Sequence, residues 1–256
     1  MSKHFELLQS AGIDLGKELA EQNEKEKGEF AADLKHGTPE IQGPGMGFHL
    51  GERGEASKLV SRLFLQAEKR PRMVTFAAIE DGGGAGRVCA AAASILAEAI
   101  SGEICVLNAN FEESSFPASF RCHERTGLRD VLLEDSPIRE HAHQLQPKNL
   151  WLFPGGPRDG DLSQMLHSEK ARARLLEFGS EFQHVLINAA PVLRDPGVTA
   201  LAQLSDGLVL VVEAHSTRRE VARRVKEGLE LANVRLLGAV LNNRRFPIPS
   251  VLYNRL

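Results

Sequence analysis

The sequence has few of the residues that mark secreted, metal-binding or nucleic-acid-binding proteins. Its 256 residues include three cysteines, one tryptophan and one tyrosine, and the formal net charge is −3. Cys89, Cys105 and Cys122 lack metal-ligand spacing, so buried roles in a reducing compartment are favoured. The near-balanced charge gives no global basic signal for nucleic acid. The chain therefore belongs to none of these three classes on composition.

Long apolar runs are also absent. No stretch approaches the roughly 18 apolar residues that span a bilayer. The beginning of the chain, MSKHFELLQSAG, lacks the apolar region of a secretory signal. These absences predict a soluble cytoplasmic protein without a transmembrane segment. The hydrophobic fraction of 42% is enough for a sizeable core, and the length allows one α/β domain of about 200 residues with an appendage.

A glycine-rich stretch is the strongest feature that is present. Within Arg72–Ala99 the pattern predicts a strand at Met73–Ala78, a turn at Asp81–Gly86 and a helix from about Arg87. Strand, glycine loop and helix form the layout of a P-loop, in which backbone N–H groups face a phosphate. The candidate cofactor-binding residues are Gly82, Gly83, Gly84, Ala85, Gly86, Arg87, Val88, Cys89 and, from a later strand, Asn242.

Apolar strands and amphipathic helices alternate after this loop. Strands are predicted at Glu103–Ala109, Leu150–Phe153, Val185–Ala189, Leu208–Ala214 and Leu236–Leu241. Helices are predicted at Glu55–Ala67, Gly127–Leu133, His167–Phe182 and Val198–Leu204, and a further helix is predicted to begin with a capping box formed by Thr217 and Glu220. This order predicts an α/β fold: a P-loop NTPase-like, mostly parallel sheet with helices on both faces.

Three parts of the chain differ in composition. Residues 1–20 carry apolar side chains at helical spacing and are predicted to form a short amphipathic segment. Residues 21–51 are charged and then rich in glycine and proline, which predicts a flexible linker. Residues 52–256 contain the predicted sheet and form the P-loop NTPase-like domain.

Asparagine recurs at the ends of the predicted strands. Asn108 and Asn110 follow the second strand, Asn188 ends a later one, and Asn242 and Asn243 end the last. Asparagine is a poor strand former, although it often begins a turn. Because ligands of parallel sheets gather at the carboxyl ends of strands, these side chains are also candidates for a binding site.

From about Glu55 to Leu256 the sequence resembles the cytoplasmic P-loop domain of bacterial tyrosine kinases (BY-kinases) of the CpsD/CapB type, relatives of the MinD/ParA ATPases. The resemblance is strongest in DGLVLVVEAHSTRREVARR and LLGAVLNNRRFPIPSVLYNRL. It places the family's Walker A Gly-Lys-Ser-Thr on Gly86-Arg87-Val88-Cys89, its Asp-x-Asp on Asn108-Ala109-Asn110, its Walker B aspartate on Asn188 and its adenine-holding asparagine on Asn242.

These positions depart from the family in ways that matter chemically. Arg87 is longer and forked where the family has a compact lysine charge. Val88 lacks the hydroxyl that would ligate Mg²⁺, and Mg²⁺ favours the anionic oxygens that three amides no longer supply. No metal ligand is therefore predicted, and no catalytic residue is assigned. The degenerate positions are Arg87, Asn108, Asn110 and Asn188.

Three functional hypotheses follow from the resemblance and its departures. The first is a catalytically impaired BY-kinase that acts as a regulatory or interaction component of exopolysaccharide biosynthesis or export. Its implied partner is a membrane polysaccharide chain-length regulator, which would hold it at the inner face of the membrane. The second is an active tyrosine-protein kinase or ATPase with Arg87 on the phosphates and Asp195 near a metal. The third is an interaction module that holds ATP or ADP without Mg²⁺.

Weaker signals concern self-association and autophosphorylation. Glu55, Lys58 and Ser61 weakly match the ExxRxxR oligomerisation motif of the family, and an ordinary solvated helix face explains them better. They leave a homo-oligomer open. Tyr253 is the only tyrosine, so the tyrosine cluster that serves the family as autophosphorylation substrate is missing.

Overall fold

A seven-stranded sheet forms the centre of the computed structural model, which describes residues 50–112, 116, 120, 126–156 and 162–243. Residues 1–49 and 244–256 lie outside this description. They include the whole of the predicted N-terminal segment, all but the last two residues of the predicted linker, and Tyr253. The strands are β1 (Met73–Ala78), β2 (Ile104–Asn108), β3 (His143–Gln144), β4 (Leu150–Phe153), β5 (His184–Asn188), β6 (Gly207–Glu213) and β7 (Leu236–Asn242).

The strand order is β3-β4-β2-β5-β1-β6-β7, and every neighbouring pair is parallel except β3 with β4. Every residue of β1, β2 and β5 is buried. Strands with both faces covered need mostly apolar side chains. The sequences MVTFAA, ICVLN and HVLIN of these three strands supply them. The carboxyl ends of β1, β2 and β5 therefore meet at one edge of the sheet.

Helices cover both faces. They are α1 (Leu50–Val60), α2 (Ala85–Ala99), α3 (Leu128–Leu133), α4 (Leu162–Met165), α5 (Glu169–Glu181), α6 (Gly197–Leu204) and α7 (Arg219–Leu231), with a π-helical turn at Ser61–Leu65 and a 3₁₀ turn at Ile138–His141. None of the helices within the described ranges combines the length and apolarity needed to cross a membrane.

Alternate residues of each central strand pack into two separate hydrophobic cores, one on each face of the sheet. Met73 and Ala77 of β1 pack with residues of α3, α5, α6 and α7. Val74 and Phe76 point to the other face and pack with α1 and α2. Cys105 is fully buried, and burial raises the pKa of its thiol well above the usual value, as expected of a cysteine that serves as a small apolar residue.

The predicted fold is confirmed, with differences at the ends of elements. The bounds of β1 and β4 agree with the prediction, because each is a short, mostly apolar run. The first helix begins earlier than predicted, at Leu50, inside the last two positions of the predicted linker. Helix α2 begins at Ala85, two residues before Arg87, because Gly84 in the left-handed region already serves as its N-cap.

One prediction about a helix end is wrong. The capping box of Thr217 and Glu220 does not form, since α7 begins after Arg218 and no side chain bonds to its first turn. The backbone N–H of Thr217 instead donates to the carbonyl of Glu213 at 3.1 Å, which closes a turn directly after β6. That turn moves the start of the helix one residue along the chain.

Arg139 contacts residues near the amino ends of several strands. Its guanidinium lies 5.0 Å from the Trp151 ring centroid and 4.8 Å from that of Phe182. It also donates to Glu103 Oε2 at 2.7 Å and to Glu181 Oε2 at 3.2 Å. These hydrogen bonds and the charge of Arg139 hold the pKa of Glu103 below its usual value near 4.5.

We expect this pair to stabilise the domain only above the ordinary pKa of glutamate. A lowered pKa in the folded state means that the contribution is complete at neutral pH and is lost as pH falls through the folded pKa. Since Glu103 is 43% exposed, the loss should be below about 1 kcal/mol. Urea unfolding of wild type and Glu103→Gln at pH 7 and pH 3.5 measures it. The difference between the two proteins should shrink at the lower pH, whereas Glu227→Gln, in an exposed pair, should change little at either.

Candidate functional site

The glycine loop connects β1 to α2 and needs glycine at several positions. Gly82 and Gly84 have φ values of 80° and 74°, in the left-handed region that favours glycine. At Gly83 a Cβ would lie 2.6 Å from the Cβ of Ala78. The loop therefore turns tightly onto the end of β1 and presents the N-terminus of a 15-residue helix at its open side.

Asn242 braces this loop from the end of β7. Its Nδ2 donates to the backbone carbonyl of Gly83 at 3.0 Å. A Cβ on Gly84 would lie 2.4 Å from the same Nδ2. The structure thus brings Asn242 to the candidate site, as the resemblance implies, but its amide is engaged with the loop backbone. A role in holding adenine stays a prediction.

The residues that the resemblance aligns with the Walker A lysine and hydroxyl face different surroundings. Arg87 lies in the first turn of α2 with an exposed side chain. Val88 is half-buried and packs against a small apolar cluster formed by Ala78, Ala85 and Val211. An apolar contact thus takes the place where a P-loop hydroxyl would face a metal ion.

Asn108 and Asn188 form a buried pair at the carboxyl ends of β2 and β5. They are register partners in the sheet, and both are fully buried. Asn188 Nδ2 donates to Asn108 Oδ1 at 3.0 Å, and the backbone N–H of Asn110 donates to the same oxygen at 3.3 Å. Two aspartates in these places would repel each other unless a cation or a proton lay between them. The two amides bond to each other without either.

Asn110 lies close by and bonds to a residue that sequence reasoning missed. Its Oδ1 accepts from Arg194 Nη2 at 2.8 Å. Arg194 Nη1 also contacts Asp81 Oδ1 at 2.5 Å and Glu112 Oε2 at 3.2 Å. One guanidinium therefore joins the glycine loop to the loop after β2. The only signal in the sequence was a basic residue six positions after Asn188, at the same edge of the sheet.

Asp195, the metal candidate of the second hypothesis, and Asp206, which precedes β6, both accept hydrogen bonds from backbone N–H groups. Asp195 Oδ1 accepts from the backbone N–H of Gly197 at 2.7 Å, at the beginning of α6. Asp206 Oδ2 accepts from the backbone N–H groups of Arg72 and Met73 at 2.6 and 2.9 Å. Asp206 therefore lies at the amino end of β1, on the edge opposite the glycine loop.

The site fits a phosphate better than it fits a metal ion. Its glycine loop keeps the backbone shape that cradles an anion, and Arg87 adds a cation beside it. Mg²⁺ would find neutral amides at Asn108 and Asn188, already bonded to each other. Within the described ranges, histidine, cysteine, aspartate and glutamate nowhere gather in a group of three that could hold a metal.

The helix face predicted as a weak oligomerisation motif is solvated. Lys58 Nζ lies 2.7 Å from Glu55 Oε1, one turn apart on α1, and both side chains are exposed. An intrahelical pair of this kind adds only a few tenths of a kcal/mol, about 0.2–0.5. It gives no support to self-association.

Sheet order, glycine loop and helix arrangement define a P-loop NTPase-like α/β domain. No family model matches the chain. It is 24% identical over 143 residues to the tyrosine-protein kinase YwqD of Bacillus subtilis, covering 56% of this chain and 60% of the relative. It is 22% identical over 123 residues to the tyrosine-protein kinase CapB of Staphylococcus aureus, covering 48% and 54%. The chain thus spans little more than half the length of these relatives.

Solved structures agree on the fold. The chimerical protein CapA2B2 superposes with a TM-score of 0.71 at 18% identity, covering 79% of this chain and 88% of that one. The VpsO kinase domain gives 0.69 at 20% identity, covering 75% and 95%. The resemblance to BY-kinase P-loop domains that the sequence suggested is confirmed by these relatives. Identities this low establish only the shared fold. Whether the site binds a metal has to be judged from its own residues.

Proposed function

We propose that this domain is a BY-kinase-like P-loop protein that acts by binding a partner and not by Mg²⁺-dependent phosphoryl transfer. The observation that carries the proposal is the hydrogen bond between Asn108 and Asn188, 3.0 Å long and fully buried. It lies where the resemblance places the carboxylates that hold the metal. Without that metal, the charge that develops on a transferred phosphoryl group would lack its main stabiliser.

The packing around Val88 supports the same reading. Its side chain completes an apolar cluster with Ala78, Ala85 and Val211. A water-coordinated cation beside this cluster would have to be desolvated against methyl groups, which is costly. The amide pair lies at the ends of β2 and β5, and the apolar cluster includes Ala78 at the end of β1, so both lie at the edge of the sheet that carries the glycine loop. Together they favour a site that can take a phosphate group on backbone N–H groups and does not recruit Mg²⁺.

The biological role is taken from the resemblance. BY-kinase-like domains of the CpsD/CapB type imply a place in exopolysaccharide biosynthesis or export, with a membrane chain-length regulator as partner. On this proposal the domain is cytoplasmic and is held at the inner face of the membrane by that partner. ADP or ATP bound without metal would serve as a structural ligand.

We expect the purified protein to release no phosphate from Mg·ATP above the buffer background, and to transfer none to a tyrosine-containing acceptor peptide. The reason is the missing metal ligands, since losing a single oxyanion-type stabiliser already costs a factor of about 10²–10³ in rate. Radiolabelled ATP measures both reactions. Turnover that requires Mg²⁺, is abolished in Arg87→Ala and persists in the exposed control Arg223→Ala would refute the proposal.

An active kinase or ATPase is the second candidate, and two observations favour it. The loop keeps the left-handed Gly82 and Gly84 and an exposed Arg87, and both relatives carry the name of tyrosine-protein kinase. Arg87 would then bind the phosphates. The metal would need a ligand such as Asp195, whose Oδ1 would have to leave the backbone N–H of Gly197.

A further inference from the structure

Arg194 is fixed by its backbone at the edge where the strands end. The backbone N–H groups of Val192 and Leu193 donate to the carbonyls of Ala78 and Ile79 at 2.9 and 3.2 Å. The N–H of Arg194 closes a turn onto the carbonyl of Pro191 at 3.0 Å. The loop after β5 is thus attached to the end of β1, and the arginine side chain begins beside the glycine loop.

Oxygen atoms from two other loops contact the guanidinium of Arg194. Asp81 Oδ1 and Glu112 Oε2 contact Nη1 at 2.5 and 3.2 Å, and Asn110 Oδ1 contacts Nη2 at 2.8 Å. Only 33% of the Arg194 side chain is exposed, against 70% and 72% for the two carboxylates. The charge is therefore less exposed than the two carboxylates, and its third oxygen partner comes from Asn110, which is buried.

We propose that Arg194 is an internal cation that holds the glycine loop and the loop after β2 together in place of a bound divalent ion. Two carboxylate oxygens and an amide oxygen converging on one positive centre are the groups that a hard cation would gather. A guanidinium supplies this charge permanently, since it stays protonated, and its fork fixes the directions of the bonds. The inference rests on the proposed metal-independent function and specifies how the site keeps its shape.

The arrangement has a consequence for partner binding. In a metal-binding site, the metal and the nucleotide would order the glycine loop and the loop after β2. Here Arg194 joins the two loops instead. The surface formed by Asp81 and Glu112 therefore exists in the protein without any ligand. A partner that recognises this surface would bind with the same affinity whether Mg²⁺ is present or absent.

Hydrogen–deuterium exchange on the full chain tests the role of the charge. We expect Arg194→Met to exchange about tenfold faster than wild type at the amides of 81–87 and 110–112, because the opening of both loops no longer breaks charge-assisted hydrogen bonds. The β1 and β5 amides serve as internal references and should be unchanged. Arg194→Lys should recover most of the protection, since it restores a positive charge.

The control is Arg223→Ala, which removes an arginine from an exposed pair on α7 and should leave both loops as in wild type. Wild-type protection in Arg194→Met would overturn the proposal. Equal exchange in the lysine and methionine variants would also overturn it, since packing and not charge would then be responsible.

Addition of MgCl₂ separates this inference from the proposed function. We expect Mg²⁺ to slow loop exchange in Arg194→Met, where the oxygens have lost their cation, and to leave wild type unchanged. Slower exchange of the wild-type loops with Mg²⁺ would contradict an internal cation. Failure of the proposed function would appear elsewhere, as Mg²⁺-dependent phosphate release by the wild-type protein, and could occur with all exchange results as expected.

Discussion

The double variant Asn108→Asp/Asn188→Asp is expected to lose about 3–5 kcal/mol of folding stability at pH 7, the cost of leaving buried charge uncompensated. Both side chains are fully buried and hydrogen bonded to each other. Exchange of both amides removes the donor Nδ2 of Asn188 and brings two acceptor oxygens together. The backbone N–H of Asn110 remains as a donor to position 108, but it cannot balance two carboxylates.

The pH dependence of this loss has a defined sign. Burial and mutual repulsion raise the pKa of the new carboxyl pair in the folded state above the unfolded value of about 3.9. A raised pKa means that the penalty is absent below pH 4 and grows as pH rises through the folded pKa. Urea unfolding between pH 4 and pH 8 should therefore show a difference from wild type that opens toward neutral pH.

Divalent cations give the same variant a second readout. We expect Mg²⁺ to raise its melting temperature, since two carboxylates restore the kind of oxygen ligands that the metal prefers, and ligand binding to the folded state stabilises it. Wild type should not respond. The matched control is Gln66→Glu/Gln164→Glu, the same exchange of amide for carboxylate at two exposed positions, which should lose little stability and show no response to Mg²⁺. If Asn108→Asp/Asn188→Asp were as stable as wild type at pH 7, the site would tolerate buried carboxylates and would not depend on the two neutral amides.

Gly207→Ala is expected to destabilise the fold by about 2–4 kcal/mol, the sum of backbone strain and overpacking. Gly207 begins β6 with φ of 153° and is the register partner of Val74 in β1. A Cβ there would lie 2.5 Å from the carbonyl oxygen of Arg235 and 2.7 Å from Leu237 Cγ. The same carbonyl accepts the N–H of Leu208 at 2.8 Å, so the neighbour cannot shift without losing a sheet hydrogen bond.

The neighbouring strand offers a control for this substitution. Gly238 lies in β7, and a Cβ added to it would meet nothing within 4 Å. Gly238→Ala should therefore be neutral or slightly stabilising, because it only restricts the unfolded chain. Denaturant midpoints of the two variants measure the contrast. Equal midpoints would contradict the close approach of β6 and β7 at Gly207.

The sheet could be predicted from sequence because its signals are local. The strands Met73–Ala78 and Leu150–Phe153 are short, mostly apolar runs, and alternation with helices sets their parallel order. The two-residue strand β3 and the four-residue helix α4 were missed. Each is too short to show any periodicity, and β3 exists only through its antiparallel pairing with β4.

The candidate site was predictable in its members but not in its contacts. Asparagines at strand ends pointed to one edge of the sheet, and the structure places Asn108 and Asn188 in hydrogen-bond contact there. Arg194 could not be found in this way, since its partners are 82 to 113 positions distant along the chain. A single arginine after a strand gives no local sign of what it binds. Such long-range ion pairs follow from the fold and are visible only once the loops are placed.

Isothermal titration calorimetry of the wild-type protein with ATP, with and without Mg²⁺, tests most directly whether the site works without a metal. We expect the affinity for nucleotide to be the same in both titrations, because Asn108, Asn188 and Val88 offer the metal neither a carboxylate nor a hydroxyl. Adenosine diphosphate retained through purification would fit the same result. A tightening of ATP binding by Mg²⁺ of about tenfold or more, equal to about 1.4 kcal/mol, would contradict it.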